Sequence, residues 1–384
     1  MSDARHALTL LTDEEREFQT AFGEFFRSAV GPKVHEMDKA QQMDKGLLGQ
    51  FFEMGMMGIE IPEEYGGTGL NFFTSIILIE EAAKVDPSVS VLIDVQNTLV
   101  INALRKWASD EIKTRIFPKL ATESVGAYCL SESSSGSDAF ALLCKATKDG
   151  DDWLLNGNKL WITNGNEADI FLVFANTDFD AGYRGITCFI VERGQEGFTV
   201  GKKEDKLGIR ASSTCELIFE NVRVTPANIV GPVGKGYKVA IETLNEGRIG
   251  IGSQMVGLAQ GALDATISYV QSREQFGKPI AHFQAVQHQI AQMAVDVEAA
   301  RLMVYNAARL KDADLPFLKE AAMAKLFSSQ VAERVASKCV ELHGGNGFTT
   351  EYPVEKFFRD SKIGSIYEGT SNMQLSTIAK MLIR

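Results

Sequence analysis

Apolar positions follow a helical period in the first third of the chain, alternate like strands in the middle, and return to a helical period in the last third. Phe18, Phe22, Phe25 and Phe26 recur at the spacing of one helix face, behind a Thr12 and Glu15 pair that reads as a capping box. Gly31-Pro32 predicts a helix break, and IPEEYGGTG at residues 61–69 predicts a loop whose glycines let backbone pass close to another segment. Residues 78–84 and 98–107 resume the helical period, with Pro118 near the close of a helical domain spanning 1–124. Runs rich in β-branched and aromatic residues then follow at 152–155, 159–163, 170–175, 186–191 and 214–219. Asn156-Gly157 between the first two predicts a hairpin turn. The short spacing leaves no room for crossover helices, so residues 125–231 read as an antiparallel β domain. After Pro232, Val256, Ala259, Leu263, Ile267 and Val270 form one helical stripe, and Val286, Ile290, Met293, Val297 and Ala300 form another. Residues 283–315 contain no Gly or Pro, so 232–384 read as a bundle of long helices. The fold class is α+β: helical domain, antiparallel β domain, helical bundle.

Composition narrows the function. A formal net charge of -11 argues against a nucleic-acid surface, which clustered Lys and Arg would mark. The five cysteines are scattered, with no CxxC pair, which favours a reduced compartment and offers no metal site. Apolar runs are too short for membrane insertion, and the first fifteen residues lack the character of a secretion signal or transit peptide. The expectation is a soluble protein of the bacterial cytoplasm, or of the mitochondrial matrix once a presequence is removed. No GxGxxG follows a strand and no GxxxxGK[ST] occurs, so neither a Rossmann nor a P-loop route to nucleotides is supported.

Candidate chemistry centres on DSKIGSIYEGTSNMQ at residues 360–374. Glu368 stands between Tyr367 and Gly369, ahead of Thr370, Ser371 and Asn372. The glycine admits a ligand close to the backbone, and the aromatic can exclude water and raise the carboxyl pKa toward the range of a general base. CLSESSSGSD at 129–138 can turn amide and hydroxyl groups toward a polar ligand. Trp161, Ile162 and Thr163 offer an aromatic plane beside a hydroxyl, equally compatible with a buried Trp in a β core. In the bundle, LNEGRIG at 244–250 sets charges around a glycine. REQFGKPI at 273–280, followed by Gln284, supplies a cation, amides and an aromatic, with Gly277 and Pro279 ending a helix. ELHGGNGF at 341–348 places glycines after a helix.

Taken together, PEEYGGTG, CLSESSSGSD, WITNG, REQFGKPI, ELHGGNGF and IYEGTSNMQ resemble the acyl-CoA dehydrogenase family in order and spacing over essentially the whole chain. MGIE, QNTL, KLGIRASSTC, LNEGRIGI and PVEKFFRDSKIG bring it nearest to the short/branched-chain members. The resemblance implies a homotetramer with FAD and acyl-CoA held between the β domain and the bundle. It puts Glu368 at the position of the catalytic base, with its backbone N–H and a flavin ribityl hydroxyl facing the thioester oxygen while hydride passes from the β-carbon to flavin N5. Tyr128, Leu130, Ser131, Gly136 and Ser137, with Trp161, Ile162 and Thr163, correspond to flavin contacts within one subunit. Arg273, Gln284 and the turn Glu341, Leu342, His343, Gly344 and Gly345 correspond to contacts from a neighbouring subunit. Thr370, Ser371 and Asn372 also fall on flavin positions. Ser137, Tyr183, Tyr237, Asn245, Glu246, Gly247 and Arg248 match positions around the CoA thioester.

Two departures stand out. Ser133-Ser134-Ser135-Gly136 replaces the Pro-Gly-Ala-Gly of many members, and Gly247 occupies the place from which other members present their base. Glu246, one residue earlier, points elsewhere on a helix. The implied activity is α,β-dehydrogenation of short or 2-methyl-branched acyl-CoA, with electrons passed to electron-transfer flavoprotein. A straight butyryl substrate, an oxygen-using flavin oxidase of the same fold and a non-catalytic acyl-CoA-binding scaffold are the competing readings.

Overall fold

Thr12 Oγ1 accepts from Glu15 N at 3.2 Å and Glu15 Oε2 accepts from Thr12 N at 2.9 Å, so the reciprocal cap foreseen in the sequence starts the first helix. The computed structural model describes residues 8–383; residues 1–7, part of the stretch read for a leader, lie outside it. Among the described residues, seven α-helices make the first domain: α1 (Asp13–Phe25), α2 (Val34–Ala40), α3 (Lys45–Glu53), α4 (Phe72–Val85), α5 (Pro87–Asp94), α6 (Asn102–Trp107) and α7 (Asp110–Thr122). The break predicted at Gly31-Pro32 does not interrupt the helix: the backbone stays right-handed through a π-helical stretch, Phe26–Val30, and a 3₁₀ turn, Gly31–Lys33, directly into α2, with Pro32 taken up in the 3₁₀ turn. Between α5 and α6 the backbone widens into a π-helical stretch, Val95–Ile101, where Gln96 and Asn97 are wholly buried. Gln96 Nε2 donates to the carbonyls of Met57, Leu120 and Ser124, and its Oε1 accepts from Gly126 N. The QNTL motif therefore ties the helical domain to the first strand.

The sheet contains β1 (Val125–Cys129), β2 (Lys145–Asp149), β3 (Asp152–Thr163), β4 (Ala168–Asn176), β5 (Ile186–Glu192), β6 (Phe198–Lys203), β7 (Thr214–Val224) and β8 (Ile229–Val230). Its order is β6-β7-β3-β2-β4-β5-β8, with β1 beside β4. Most pairings are antiparallel as expected, but β1 and β2 both run parallel to β4, so the sheet is mixed. The turn expected at Asn156-Gly157 is absent. β3 runs through these residues with a bulge, at which Gly157 takes φ 136° and leaves no room for a side chain, since a Cβ there would lie 2.9 Å from Cys144 Cα. The hairpin instead closes one strand earlier, between the Asp149 and Asp152 pair, over Gly150 at φ 63°. Along β4 the side chains alternate between two cores: Phe171, Val173 and Ala175 face one, and Ile170, Leu172 and Phe174 face the other with Tyr128 and Leu130. That second core is completed by the helical domain and by Val239 and Ala240.

Those last two residues belong to α8 (Gly236–Ser272), which packs on α4 and on α10 (Leu318–His343). α9 (Gln284–Asp312), α11 (Val354–Ser361) and α12 (Ser371–Leu382) finish the bundle. Gly277 and Pro279 do not end α8, which stops at Ser272. They belong to a short hairpin, β9 (Glu274–Gln275) and β10 (Lys278–Pro279), turned by Phe276 and Gly277 with φ 54° and 78°. No helix among the described residues is long and apolar enough to cross a membrane.

Candidate functional site

All three domains meet at Glu368. The residue takes φ 51° and Gly369 takes φ 86°, so the chain makes a left-handed turn just before α12. For a non-glycine residue this conformation costs about 1–2 kcal/mol, and such strain is typical of functional positions. Three side chains impose it. Lys325 Nζ donates to Gly369 O at 2.8 Å, and Gln374 Nε2 donates to the carbonyls of Gly369 and Glu368 at 2.8 and 3.1 Å. Thr370 caps α12 by accepting from Met373 N.

Glu368 itself is half-buried, but its Oε2 is shut from solvent and has no hydrogen-bond partner. Burial pushes its carboxyl up to about 7, with Lys325 and Arg248 opposing the rise. Gly247 gives this oxygen room, since a Cβ there would stand 3.2 Å from Glu368 Oε2 and 2.6 Å from Leu99 Cδ2. One turn along α8, Gly250 does the same for a second acid: a Cβ there would stand 2.0 Å from Asp94 Oδ1. Asp94 accepts from Thr98 Oγ1 at 2.8 Å, and burial, with the Glu368 charge adding to it, pushes its carboxyl well above the usual range.

The first turns of α8 lead away from this acid. Arg248 Nη1 donates to Asn245 Oδ1 at 3.0 Å, while Arg248 Nε is buried without a partner. Tyr237, at the helix start, packs edge-on against Tyr183 with ring centres 4.9 Å apart. From Tyr237 to Arg248 is about 16 Å along the helix, a track that suits an extended ligand arm. Glu246, which the resemblance places among the positions around the CoA thioester, lies off this track: its Oε2 accepts from Asn102 Nδ2 at 2.7 Å and faces Lys311 at 3.5 Å.

On the sheet side, Tyr128 is buried with its hydroxyl unpartnered, and Leu130 is buried beside it. Trp161 is 59% exposed and takes φ 62° at a second bulge of β3, which turns its ring out of the sheet core. Ile162 is buried beneath it and Thr163 is half-buried. Leu160 N donates to Ser131 O, setting this bulge against the serine loop. The loop that departs from Pro-Gly-Ala-Gly is closed by reciprocal Glu132 and Ser135 backbone bonds of 3.0 and 3.2 Å, which leave Gly136 and Ser137 exposed. An exposed indole, an unpartnered phenol and free loop amides fit a flat, polar-edged heterocycle such as flavin.

The remaining candidates gather elsewhere. Arg273 and Gln284 are exposed on the far end of the bundle, and Tyr269 OH donates to His343 O at 3.2 Å, joining them to the glycine turn. His343 is stacked on Tyr269 at 4.1 Å and its Nδ1 bonds Cys339 O, so Gly344 and Gly345 present backbone rather than an imidazole. Glu341 pairs with Lys338 and Leu342 is half-buried. Along α10, His343 lies about 27 Å from Lys325, so one chain does not bring this group to Glu368. Ser371 and Asn372 open α12 beside the acid.

Sequence reasoning passed over Lys325, Asp94 and the ion pair of Glu132 with Lys159. A lysine inside AAMAKLFSS and another directly ahead of the apolar run Leu160-Trp161-Ile162 were the available signals.

Comparison with known proteins identifies the three parts of the chain. The acyl-CoA dehydrogenase N-terminal, middle and C-terminal domains match residues 12–124, 127–222 and 234–383. The chain is 56% identical to a probable short/branched chain specific acyl-CoA dehydrogenase of Dictyostelium discoideum, over 98% of this chain and 92% of that one. It is 54% identical to the mitochondrial short/branched chain specific enzyme of Rattus norvegicus, over 97% and 86%. The solved structure of butyryl-CoA dehydrogenase from Megasphaera elsdenii superposes with a TM-score of 0.96 at 40% identity, over 98% and 99%. With all three domains matching in order and relatives more than half identical over nearly the whole chain, the chain belongs to the acyl-CoA dehydrogenase family.

Proposed function

We propose that this chain dehydrogenates short, 2-methyl-branched acyl-CoA thioesters to 2-enoyl-CoA, with Glu368 as the base that removes the α-proton. The observation that carries this reading is the Glu368 carboxyl, whose Oε2 is buried, unpartnered and pushed up to about 7. A base is most effective when its pKa lies near the operating pH. The α C–H of a thioester is weakly acidic, so the proton moves only if water is excluded and the enolate oxygen meets donors, here the Glu368 backbone N–H among them.

The family's cofactor is FAD, which when bound accepts the hydride leaving the β-carbon. Trp161 and Thr163, with Tyr128, Leu130 and the Ser131 to Ser137 loop, would hold its ring, joined by Thr370 and Asn372. Tyr183, Tyr237, Asn245 and Arg248 would hold the CoA arm along α8. Arg273, Gln284 and the Gly344 turn would serve a neighbouring subunit of a homotetramer, a reading supported by their distance from Glu368 in one chain. Electron-transfer flavoprotein would take the electrons. The branched-chain preference is supported by relatives named for short/branched chains at 56% and 54% identity, against 41% for a rat short-chain enzyme.

The test is Glu368→Gln assayed with butyryl-, isobutyryl- and 2-methylbutyryl-CoA and an artificial electron acceptor. The variant should keep FAD and lose at least the hundredfold or so that a general base contributes, and wild type should turn over the 2-methyl substrate fastest. Activity within about tenfold of wild type would remove Glu368 from the role.

A further inference from the structure

Lys325 is wholly buried in the middle of α10. Its ammonium donates to a neutral carbonyl, Gly369 O, at 2.8 Å. A buried ammonium set against a backbone carbonyl is a costly way to fill a core position that methionine would fill with similar volume. One turn further on, Ser329 Oγ donates to Gly364 O at 2.8 Å. Residues 325 and 329 share one helix face, so a single long helix grips both ends of the loop that carries Glu368.

We propose that Lys325 is a positioning residue for the reaction: it fixes the left-handed turn that aims Glu368, and its charge holds that carboxylate in the ionised form that accepts a proton. The inference rests on the reading of Glu368 as the base. Of the groups that oppose the burial-driven rise of the Glu368 pKa, Lys325 is the larger and Arg248, from α8, the smaller. The coupling is mutual. Burial pushes Lys325 down to about 8, and Glu368 opposes that fall while Arg248 adds to it. The other groups coupled to Glu368 are Asp94 at the end of α5, Tyr128 on β1 and the adjoining Tyr367. Burial pushes all three toward their neutral forms, so the two cations carry the electrostatic balance.

The experiment is an infrared difference titration of the Glu368 carboxyl in the FAD-loaded enzyme, with Glu368→Gln as the blank that identifies its band. Lys325→Met should raise the titration midpoint by about one unit or more, a tenfold change in ionisation. The acid limb of kcat/KM should move with it while FAD content stays at wild-type level. An unmoved midpoint in Lys325→Met, with turnover reduced, would show a packing role alone and overturn the proposal. Should Lys325→Met fail to fold, Lys325→Gln keeps a donor and drops the charge. A raised midpoint there supports the proposal and an unmoved one overturns it. The titration reads Lys325 independently of turnover: an active Glu368→Gln enzyme sinks the base, whereas an inactive one with an unmoved Lys325 midpoint sinks only this inference.

Discussion

Lys159 Nζ lies 2.7 Å from Glu132 Oε1, and both side chains are buried where β3 passes the serine loop. Glu132 also accepts from Leu143 N and Cys144 N, and Lys159 donates to Leu130 O. The pair thereby ties Leu130, ahead of the Ser133-Ser134-Ser135-Gly136 loop, to Leu143 and Cys144 beyond it. Removing one partner leaves a buried charge uncompensated, which costs about 3–5 kcal/mol. Lys159→Met should therefore lower the unfolding midpoint and release FAD on gel filtration, and Glu132→Leu combined with it should recover much of the stability. A single variant as stable as wild type would show that the loop is held by other contacts.

Gly247 faces Glu368 Oε2 and Leu99 across less space than a methyl group needs. Overpacking of this kind costs about 1–3 kcal/mol, and here the strain falls on the base. Gly247→Ala should reduce kcat/KM by about tenfold or more with FAD retained. Unchanged kinetics would mean that Leu99 gives way freely and that the acid does not depend on this gap.

The raised Glu368 carboxyl makes a pH prediction with a definite sign. The base must be ionised, so kcat/KM of the free enzyme should rise tenfold per unit below about 7 and level off above it. Stability runs the other way. The folded carboxyl holds its proton from its ordinary value near 4.5 up to about 7, so the native state binds the extra proton in that window. This group's contribution is present below 4.5 and is lost as pH rises through 7. Denaturant midpoints measured from pH 4.5 to 7.5 should show that decline in wild type but not in Glu368→Gln; parallel curves would contradict it.

Much of this was legible in the sequence, for reasons that differ by residue. The α1 cap and the bundle stripes were readable because capping and helical periodicity are local. Asn156-Gly157 misled because glycine with positive φ serves a bulge as well as a turn. The true turn escaped because β2, KATKD, buries only Ala146 and shows no alternation. Glu368 announced itself by its neighbours, whereas Lys325 showed only as a lone charge among apolar residues, and its role was hidden because its partner is a backbone carbonyl 44 residues away. The motifs around Arg273 and Gly344 were visible as motifs, but their separation from Glu368 is set by the lengths of α8 and α10.

Lys356 offers the last test, because it joins all three domains through buried charge. Its ammonium sits 2.8 Å from Asp86 Oδ1 at the start of α5 and 2.6 Å from Asp360 Oδ2 on its own helix. Asp360 Oδ1 in turn accepts from Ile209 N at 2.5 Å, and Ile209 belongs to the KLGIRASST loop of the β domain with φ 43°. The two carboxylates outweigh burial and raise the Lys356 pKa, while burial raises that of Asp360 despite the lysine. Lys356→Met leaves two acids facing each other without a cation, so about 3–5 kcal/mol of stability should be lost. Asp360→Asn keeps an acceptor for Ile209 N and should cost less. Protease nicking near residues 205–213 should rise in Lys356→Met and stay near wild type in Asp360→Asn. Equal stability and equal nicking in all three proteins would show that these charges do not hold the domains together.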